Sequence, residues 1–473
     1  MINYVIAERL FTKDIFMFID SHAHLHFKDF NKNLDGVIKR AGEKGVKYII
    51  NIGTDLETSN QAIDISGKYQ NVFTAVGIHP TDADKFDGNT IGILKEMIKD
   101  KKVVAIGEIG LDYYWDTTTP EQQKIAFSEQ LKLAAEVDLP VVIHTRNAWD
   151  DVEDVITEAV GDNVRGVFHC YSGDLETAVR LIKKGFLISF TGNITFKNFK
   201  NTEMLEQIPT EKMLLETDCP FMAPMPFRGK RNEPSYVPLI AEKLSEIKGL
   251  SVDDIARITS FNANRLFGIA PEMEEVKFAY EIRDSLYINP TTRCTSDCVF
   301  CARLIDPVVK GHNLGLPKDK EPTPEEAIKY IGDPTGYGEV VFCGYGEPLL
   351  RLDFFKEVAE WLKTKGVKVR LNTNGHGNLI YSRNIIPEIK DLVDEISVSL
   401  NTHDEKKYNK LMRTEYGDNA FKGMIDFVKK CIDAGIKTDL TVVGIPGLDI
   451  EACRKLADKL GADFRIRKYN EVG

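Results

Sequence analysis

Short apolar runs recur through the first half of the chain, each followed by an amphipathic stretch. The runs begin with Phe18-Ile19 and continue with Val46–Ile52, Val72–Val76, Val103–Ile106, Pro140–Ile143, Gly166–Phe168, Phe186–Ser189 and Lys212–Leu215. The segments between them, such as Pro120–Val137 with Pro at its start and Leu175–Lys184, read as helices. Strands alternating with helices imply a parallel sheet, and about eight such units imply a closed (β/α)8 barrel of the TIM type. That frame says where chemistry belongs, because barrel active sites form at the C-terminal ends of the strands.

The residues that end the runs are ligand types. The first strand empties into Asp20-Ser21-His22-Ala23-His24, where His22 and His24, two apart, point to one side. Two imidazoles on one face suit a divalent ion, and Asp20 is expected to accept the other ring N–H of a ligating histidine. Val103–Ile106 runs into Gly107-Glu108, Val141–Ile143 into His144, Val167-Phe168 into His169, and Met213–Leu215 through Glu216 and Thr217 to Asp218. One histidine at a strand end would be a structural residue. Four histidines and two carboxylates at matching places make a two-metal centre with a bridging carboxylate, able to deprotonate water and stabilise the leaving oxygen of a phosphoester.

With 473 residues the chain exceeds what one core organises, so two domains are expected. Hydrophobic residues at 43% and charged residues at 28% fit a globular chain, and no apolar run reaches the roughly 18 residues of a membrane span. Met1–Phe16 carries Glu8 and Asp14 and no small-residue cleavage site; it reads as an extension before a second candidate start at Met17. The net charge of −11 argues against broad wrapping of nucleic acid but allows a strand held by metals and a few cations. Eight cysteines, three of them within Cys294–Cys301, point to a reducing, cytoplasmic setting and a metal site rather than a disulfide framework.

The stretches FIDSHAHLH, VGIHP, AIGEIGLDYYW, PVVIHTRNA, FHCYSG, LLETDCPFMAP, RGKRNEP and FNANRLFG resemble the TatD family of metal-dependent deoxyribonucleases, within the amidohydrolase-like barrels, from Met17 to about Ile269. The resemblance implies that His22, His24, Glu108, His144, His169 and Asp218 hold two divalent ions (Mg, Mn or Zn). Glu108 would be the bridge, and Asp218 would take a proton from the attacking water. It also implies nucleic acid, with DNA expected, as the substrate. His79 would then lie near that substrate, with a hydrogen-bonded structural imidazole as the alternative, and Arg228, Lys230 and Arg231 on its phosphates rather than in a solvated charge run. Phe227 departs from the pattern, which often has His there. Tyr113 and Trp115 are expected to pack the barrel mouth, with base stacking as the alternative. Hydrolysis of another ester or amide is the other reading of this half.

Residues 271–285 are read as a linker and 286–473 as a second domain. Strand Leu286–Asn289 delivers Cys294, Cys298 and Cys301 in a Cys-x3-Cys-x2-Cys loop. Three thiolates leave one iron of a 4Fe–4S cluster open, whereas structural zinc wants a fourth ligand, for which only distant His312 offers itself. Further strands end in Cys343–Pro348, Asn372–Gly375, Asn401 and Gly444–Gly447, giving about six βα units of an open partial barrel. Cys431 and Cys453 read as core thiols on helices, and His376 and His403 as surface residues. This half resembles the radical S-adenosylmethionine (SAM) superfamily. The resemblance implies that the three cysteines bind the cluster and that SAM takes its open iron. Gly344, Tyr345, Gly346 and Glu347 would contact the SAM amino group, Ser399 and Asn401 the ribose, and Gly444 the adenine. Tyr345 stands where the first Gly of the Gly-Gly-Glu-Pro element usually stands. An external reductant such as flavodoxin or ferredoxin is implied, and a 5′-deoxyadenosyl radical is the expected product of SAM cleavage. A non-catalytic iron–sulfur sensor gating the hydrolase is the third reading of the whole.

Overall fold

The computed structural model describes residues 17–270, 276–299, 301, 307–444 and 447–468. The extension expected at Met1–Phe16, and Ile445 and Pro446 of the loop expected on the adenine side, lie outside the described residues. The chain forms two compact units, Met1–Met273 and Glu274–Gly473.

In the first unit eight strands run parallel in chain order: β1 (Phe18–Ala23), β2 (Val46–Ile52), β3 (Val72–Val76), β4 (Val103–Asp112), β5 (Val141–Arg146), β6 (Gly166–Phe168), β7 (Leu187–Phe190) and β8 (Met213–Leu215). Their apolar residues divide by alternation. Val141, Ile143 and Phe168 pack outward under the helices. Val104, Val142, Val167 and Leu214 fill an inner cluster with Ala263, Leu266 and Phe267 of helix Val252–Phe267. Continued along the chain, the inward parity of Val142, Val167 and Leu214 arrives at His144 within β5 and, past the ends of β6 and β8, at His169, Glu216 and Asp218. The barrel closes between the first and last strands through a single bridge, Ala23 with Cys219. There Asp218 N–H donates to the His22 carbonyl at 2.9 Å and His24 N–H to that of Cys219 at 2.8 Å. Closure thus sets His22 and His24 beside Asp218.

β4 is longer than its apolar run predicts. It continues to Asp112 because Ile109–Asp112 pair with Ile143–Arg146 of β5, after a register shift between Ile106 and Ile109. Glu108 lies in that irregularity, a device that re-aims a side chain beside active sites. Gly110 is required there: its φ is +140°, and a Cβ would stand 2.0 Å from the His144 carbonyl oxygen.

The second unit is built on a seven-stranded sheet in the order β17-β16-β15-β14-β13-β10-β9. β10 (Ser285–Ile288), β13 (Glu339–Phe342), β14 (Val369–Thr373), β15 (Glu395–Ser399), β16 (Lys437–Gly444) and β17 (Asp463–Lys468) are parallel, as the six-unit partial barrel requires. β9 (Ala279–Ile282) lies antiparallel to β10, and β11 (Val308-Val309) and β12 (His312-Asn313) form a separate small hairpin. β9 falls inside the stretch expected as linker. Buried Ala279 and Tyr280 and a turn at Arg283, with φ of 58°, make residues 279–288 an edge hairpin. Among the described residues, no helix is long and apolar enough to cross a membrane.

Candidate metal centre and cysteine loop

Glu108 is the hub of the first unit's site. Its Oε2 lies 3.4 Å from His22 Nε2 and 3.6 Å from His24 Nε2. Its Oε1 lies 3.0 Å from His144 Nδ1 and 2.8 Å from His169 Nε2. Asp218 Oδ1 completes the first side, 3.8 Å from His22 Nε2 and 3.5 Å from His24 Nε2. One carboxylate therefore offers an oxygen to each of two groups of donors, the arrangement that two divalent ions sharing a bridge demand. Burial opposes the charge on Glu108, yet His169, His79 and His22, with a hydrogen bond to His144, hold its carboxyl well below the ordinary range. Asp218 is also held low: burial acts against it, and the hydrogen bond with His24 and the nearby His22 prevail. Asp218 has φ of 54°, a left-handed backbone that Asp tolerates better than most residues.

The imidazoles are aimed by their other nitrogens. His24 Nδ1 lies 2.9 Å from the Ile52 carbonyl, so it carries the proton and leaves Nε2 free as a ligand. His144 Nε2 lies 2.9 Å from Asp112 Oδ2, which leaves Nδ1 facing Glu108. Asp112 was not singled out from the sequence, although it stands inside the IGLDYYW stretch; its strand parity with Glu108 and Gly110 is the signal that finds it. Glu216 Oε1 is 3.7 Å from His169 Nδ1 and accepts the Cys170 N–H at 2.6 Å, while its Oε2 accepts the Ser189 hydroxyl at 2.7 Å.

Asp20 does something other than expected. Its oxygens accept the N–H and hydroxyl of Thr217, at 2.9 and 2.5 Å, and the backbone N–H of His22 at 3.3 Å. It ties the end of β1 to the residues after β8 and touches no imidazole nitrogen. Burial pushes its carboxyl up to about 8, against the bonds from Thr217.

His79 belongs to the same cluster, with Nε2 3.4 Å from Glu108 Oε1 and its ring 4.5 Å from that of His144. The three cations differ. Arg231 donates to the Asp29 carbonyl at 2.7 Å and to Glu233 at 3.2 Å, whereas Arg228 lies over the Phe196 ring at 4.4 Å and Lys230 5.7 Å from that of Phe227. Phe227 itself stacks on Tyr236 at 4.4 Å. Tyr113 packs as expected, its hydroxyl donating to Asp151 at 2.7 Å, but Trp115 does not: it is 54% exposed.

In the second unit Cys294, Cys298 and Cys301 are half-buried cysteines. The loop is held by Val299 N–H on the Leu411 carbonyl at 2.9 Å and by the Ser296–Thr414 bridge. Asn374 Nδ2, after β14, donates to Cys294 Sγ at 3.8 Å and to Thr295 Oγ1 at 2.9 Å. Among the described residues, donor groups gathered within 4.8 Å all lie in the first unit; the three sulfurs are not so gathered. His312 Nε2 instead lies 3.1 Å from the Glu281 carbonyl.

Gly346 packs where a Cβ would meet the Thr291 and Arg293 carbonyls at 2.3 and 2.4 Å, and a Cβ on Gly344 would meet Asn289 Oδ1 at 1.9 Å. Both glycines fit the loop against the chain leading into the cysteines. Tyr345 turns away, its hydroxyl donating to the Val308 carbonyl at 2.6 Å. The Glu347 carboxylate is engaged by Thr373 Oγ1 at 2.7 Å and by the N–H groups of Asn374 and Leu349 at 2.8 and 3.0 Å. Asn401, with φ of 56°, donates to Met412 Sδ at 3.4 Å and accepts from Val443 N–H at 3.3 Å. Ser399 ends β15, and Gly444 ends β16. His376 is a correction: it is fully buried, with Nδ1 3.3 Å from Thr295 Oγ1 and Nε2 3.1 Å from the Tyr408 hydroxyl. Cys431 and Cys453 are buried on their helices.

The TatD related DNase family matches residues 19–268, and the radical SAM superfamily matches residues 288–460. An uncharacterized metal-dependent hydrolase of Bacillus subtilis, YabD, is 43% identical over 254 residues, covering 54% of this chain and 100% of that protein. The 3′-5′ ssDNA/RNA exonuclease TatD of Shigella flexneri is 33% identical over 257 residues, covering 53% and 99%. The crystal structure of the TatD homologue YJJV of Escherichia coli superposes with a TM-score of 0.51 at 32% identity, covering 54% of this chain and 99% of that one.

Proposed function

Because the chain belongs to the TatD related DNase family over residues 19–268 and carries a radical SAM domain over residues 288–460, we propose that it is a bifunctional enzyme, a two-metal phosphodiesterase acting on single-stranded nucleic-acid ends and a SAM-cleaving radical enzyme. The observation that carries the first half is the division of Glu108, one oxygen facing His22 and His24 and the other His144 and His169. His22, His24 and Asp218 would hold one divalent ion, His144 and His169 the other, with Glu108 between them. The ions, when bound, supply the Lewis acidity that activates water and stabilises the departing oxygen. Asp218, ionised in the site, receives the proton of the attacking water on its carboxylate. Asp112 and the Ile52 carbonyl keep His144 and His24 in the tautomers that present a lone pair to the site. Arg228 and Lys230, exposed after the β8 end, are the cations suited to neighbouring phosphates; Arg231 is occupied by Glu233.

In the second half Cys294, Cys298 and Cys301 would hold a 4Fe–4S cluster, which would supply the electron for reductive cleavage of SAM to methionine and a 5′-deoxyadenosyl radical. The glycines of Gly344–Pro348 let backbone lie against the cysteine loop. Glu347, engaged by Thr373, Asn374 and Leu349, shapes that loop, so contact to the SAM amino group falls to main-chain atoms.

Two assays test these halves. An end-labelled single-stranded oligonucleotide with Mg, Mn or Zn is expected to shorten from an end, and Glu108→Ala to abolish this; no cleavage with any of the ions refutes the nuclease reading. After anaerobic reconstitution, SAM and a reductant should give 5′-deoxyadenosine, lost in Cys298→Ala. Stimulation of that product by the oligonucleotide would join both halves to nucleic acid.

A further inference from the structure

The β4–β5 ladder ends on the pair Asp112 and Arg146, and a group of side chains there is left unused by the hydrolytic centre. Asp112 is buried, and its two oxygens serve different masters. Oδ2 lies 2.9 Å from Nε2 of His144, while Oδ1 accepts the backbone N–H groups of Tyr114 at 2.8 Å and Trp115 at 3.2 Å. The loop that carries these two aromatics is therefore pinned by the same carboxylate that orients a ligand of the centre.

Their rings face solvent, Tyr114 at 53% and Trp115 at 54% exposure. They meet edge to face, with centroids 4.9 Å apart and planes at 90°. The Arg146 guanidinium lies 3.6 Å from the Tyr114 ring centre and 5.8 Å from that of Trp115. Among the described residues Arg146 forms no ion pair. Tyr114 is thus covered by the cation, and the indole of Trp115 is the open face. A rigid exposed ring beside an uncompensated guanidinium is the composition that binds single-stranded nucleic acid: the ring takes any base, and the cation takes the phosphate next to it. A buried packing role would have removed Trp115 from water, and a purely electrostatic role would not need the rings.

We propose that Trp115, buttressed by Tyr114 and Arg146, is the stacking surface for a nucleobase of the strand whose phosphodiester is cleaved at Glu108. This rests on the nuclease reading above and adds to it a base-dependent, sequence-tolerant subsite attached to the centre through Asp112.

The test compares an intact single-stranded oligonucleotide with one carrying abasic sites at its terminal positions, for the wild type, Trp115→Ala and Trp115→Phe. Stacking predicts that the wild type shows a lower KM for the intact strand. In Trp115→Ala that KM rises roughly five- to a hundredfold, with the effect in KM rather than kcat, and the intact-to-abasic ratio collapses toward one. Phe restores part of the difference. Binding of the intact strand in the presence of a chelator, read by fluorescence anisotropy, should weaken in parallel. An unchanged KM in Trp115→Ala, or an equal loss on both strands, overturns the proposal while leaving the nuclease reading in place. Failure of the wild type to cleave either strand with any of the ions removes that reading, and this one with it.

Discussion

Replacing Asp112 by Asn should weaken one metal site and spare the other. The wild-type carboxylate accepts at both oxygens: at Oδ1 from two backbone N–H groups and at Oδ2 from the proton on His144 Nε2. An amide of the same shape has only one acceptor. Two fixed N–H donors outcompete one imidazole, so the amide oxygen stays with Tyr114 and Trp115 and its NH2 turns to His144. Facing a donor, His144 must shift its proton from Nε2 to Nδ1, the nitrogen that looks at Glu108 at 3.0 Å, and it ceases to be a ligand there. Loss of such an orienting partner costs about 10- to 100-fold in metal affinity, or about 1.4–2.7 kcal/mol. Calorimetric titration of the metal-free protein with Mn should resolve two sites in the wild type. In Asp112→Asn, the site on the Oε1 side of Glu108 should weaken by that factor, and the His22–His24–Asp218 side should be unchanged. Two sites of wild-type affinity in the variant would refute the tautomer argument.

Other consequences can be read directly. Burial pushes His376 down to about 4 from 6.5, so the unfolded chain takes up its proton first, and stability present above pH 6.5 is lost as pH falls toward 4. That amounts to about 2 kcal/mol between pH 7.5 and 5. Urea denaturation of the second unit followed at Trp361 should show it, and His376→Gln should remove that share of the slope. Gly110→Ala puts a methyl against the His144 carbonyl at a φ that L-residues avoid. A loss of about 2 kcal/mol or more is expected in the urea midpoint of the first unit; an unchanged midpoint would show that the β4–β5 pairing can slip. Cys298→Ala should lose the visible absorption and iron content of the reconstituted protein while its far-ultraviolet circular dichroism stays that of the wild type; retained iron would place the cluster elsewhere.

Much of the site is legible in one dimension because a parallel strand delivers its end residues to a fixed place. Once the apolar runs are seen as barrel strands, His144, His169 and Asp218 need no further information to be brought together. The cysteine loop is legible for the opposite reason: its three thiols are local and need only a turn. Sequence reasoning failed where a residue's role depends on what lies across the fold. His376 has no neighbour in sequence that would bury it, yet Thr295 and Tyr408 close on both of its nitrogens. Arg231 reads as a phosphate contact until Glu233 and the Asp29 carbonyl are seen to occupy it. Residues 279–282 look like linker because a four-residue edge strand has too little pattern to announce itself.

The sequence by itself determined the two fold types, the ligand-type residues at the strand ends and the cysteine spacing, since each follows from periodicity or local spacing along the chain. Only the tertiary structure decided how those groups are used. It decided that Glu108 splits its oxygens between two donor groups, that Asp112 rather than Asp20 orients an imidazole, and that Trp115 stays in solvent. Each of these depends on a strand irregularity or on a hydrogen bond between distant residues, and such pairings are chosen by the packing of the whole barrel, which no local pattern encodes.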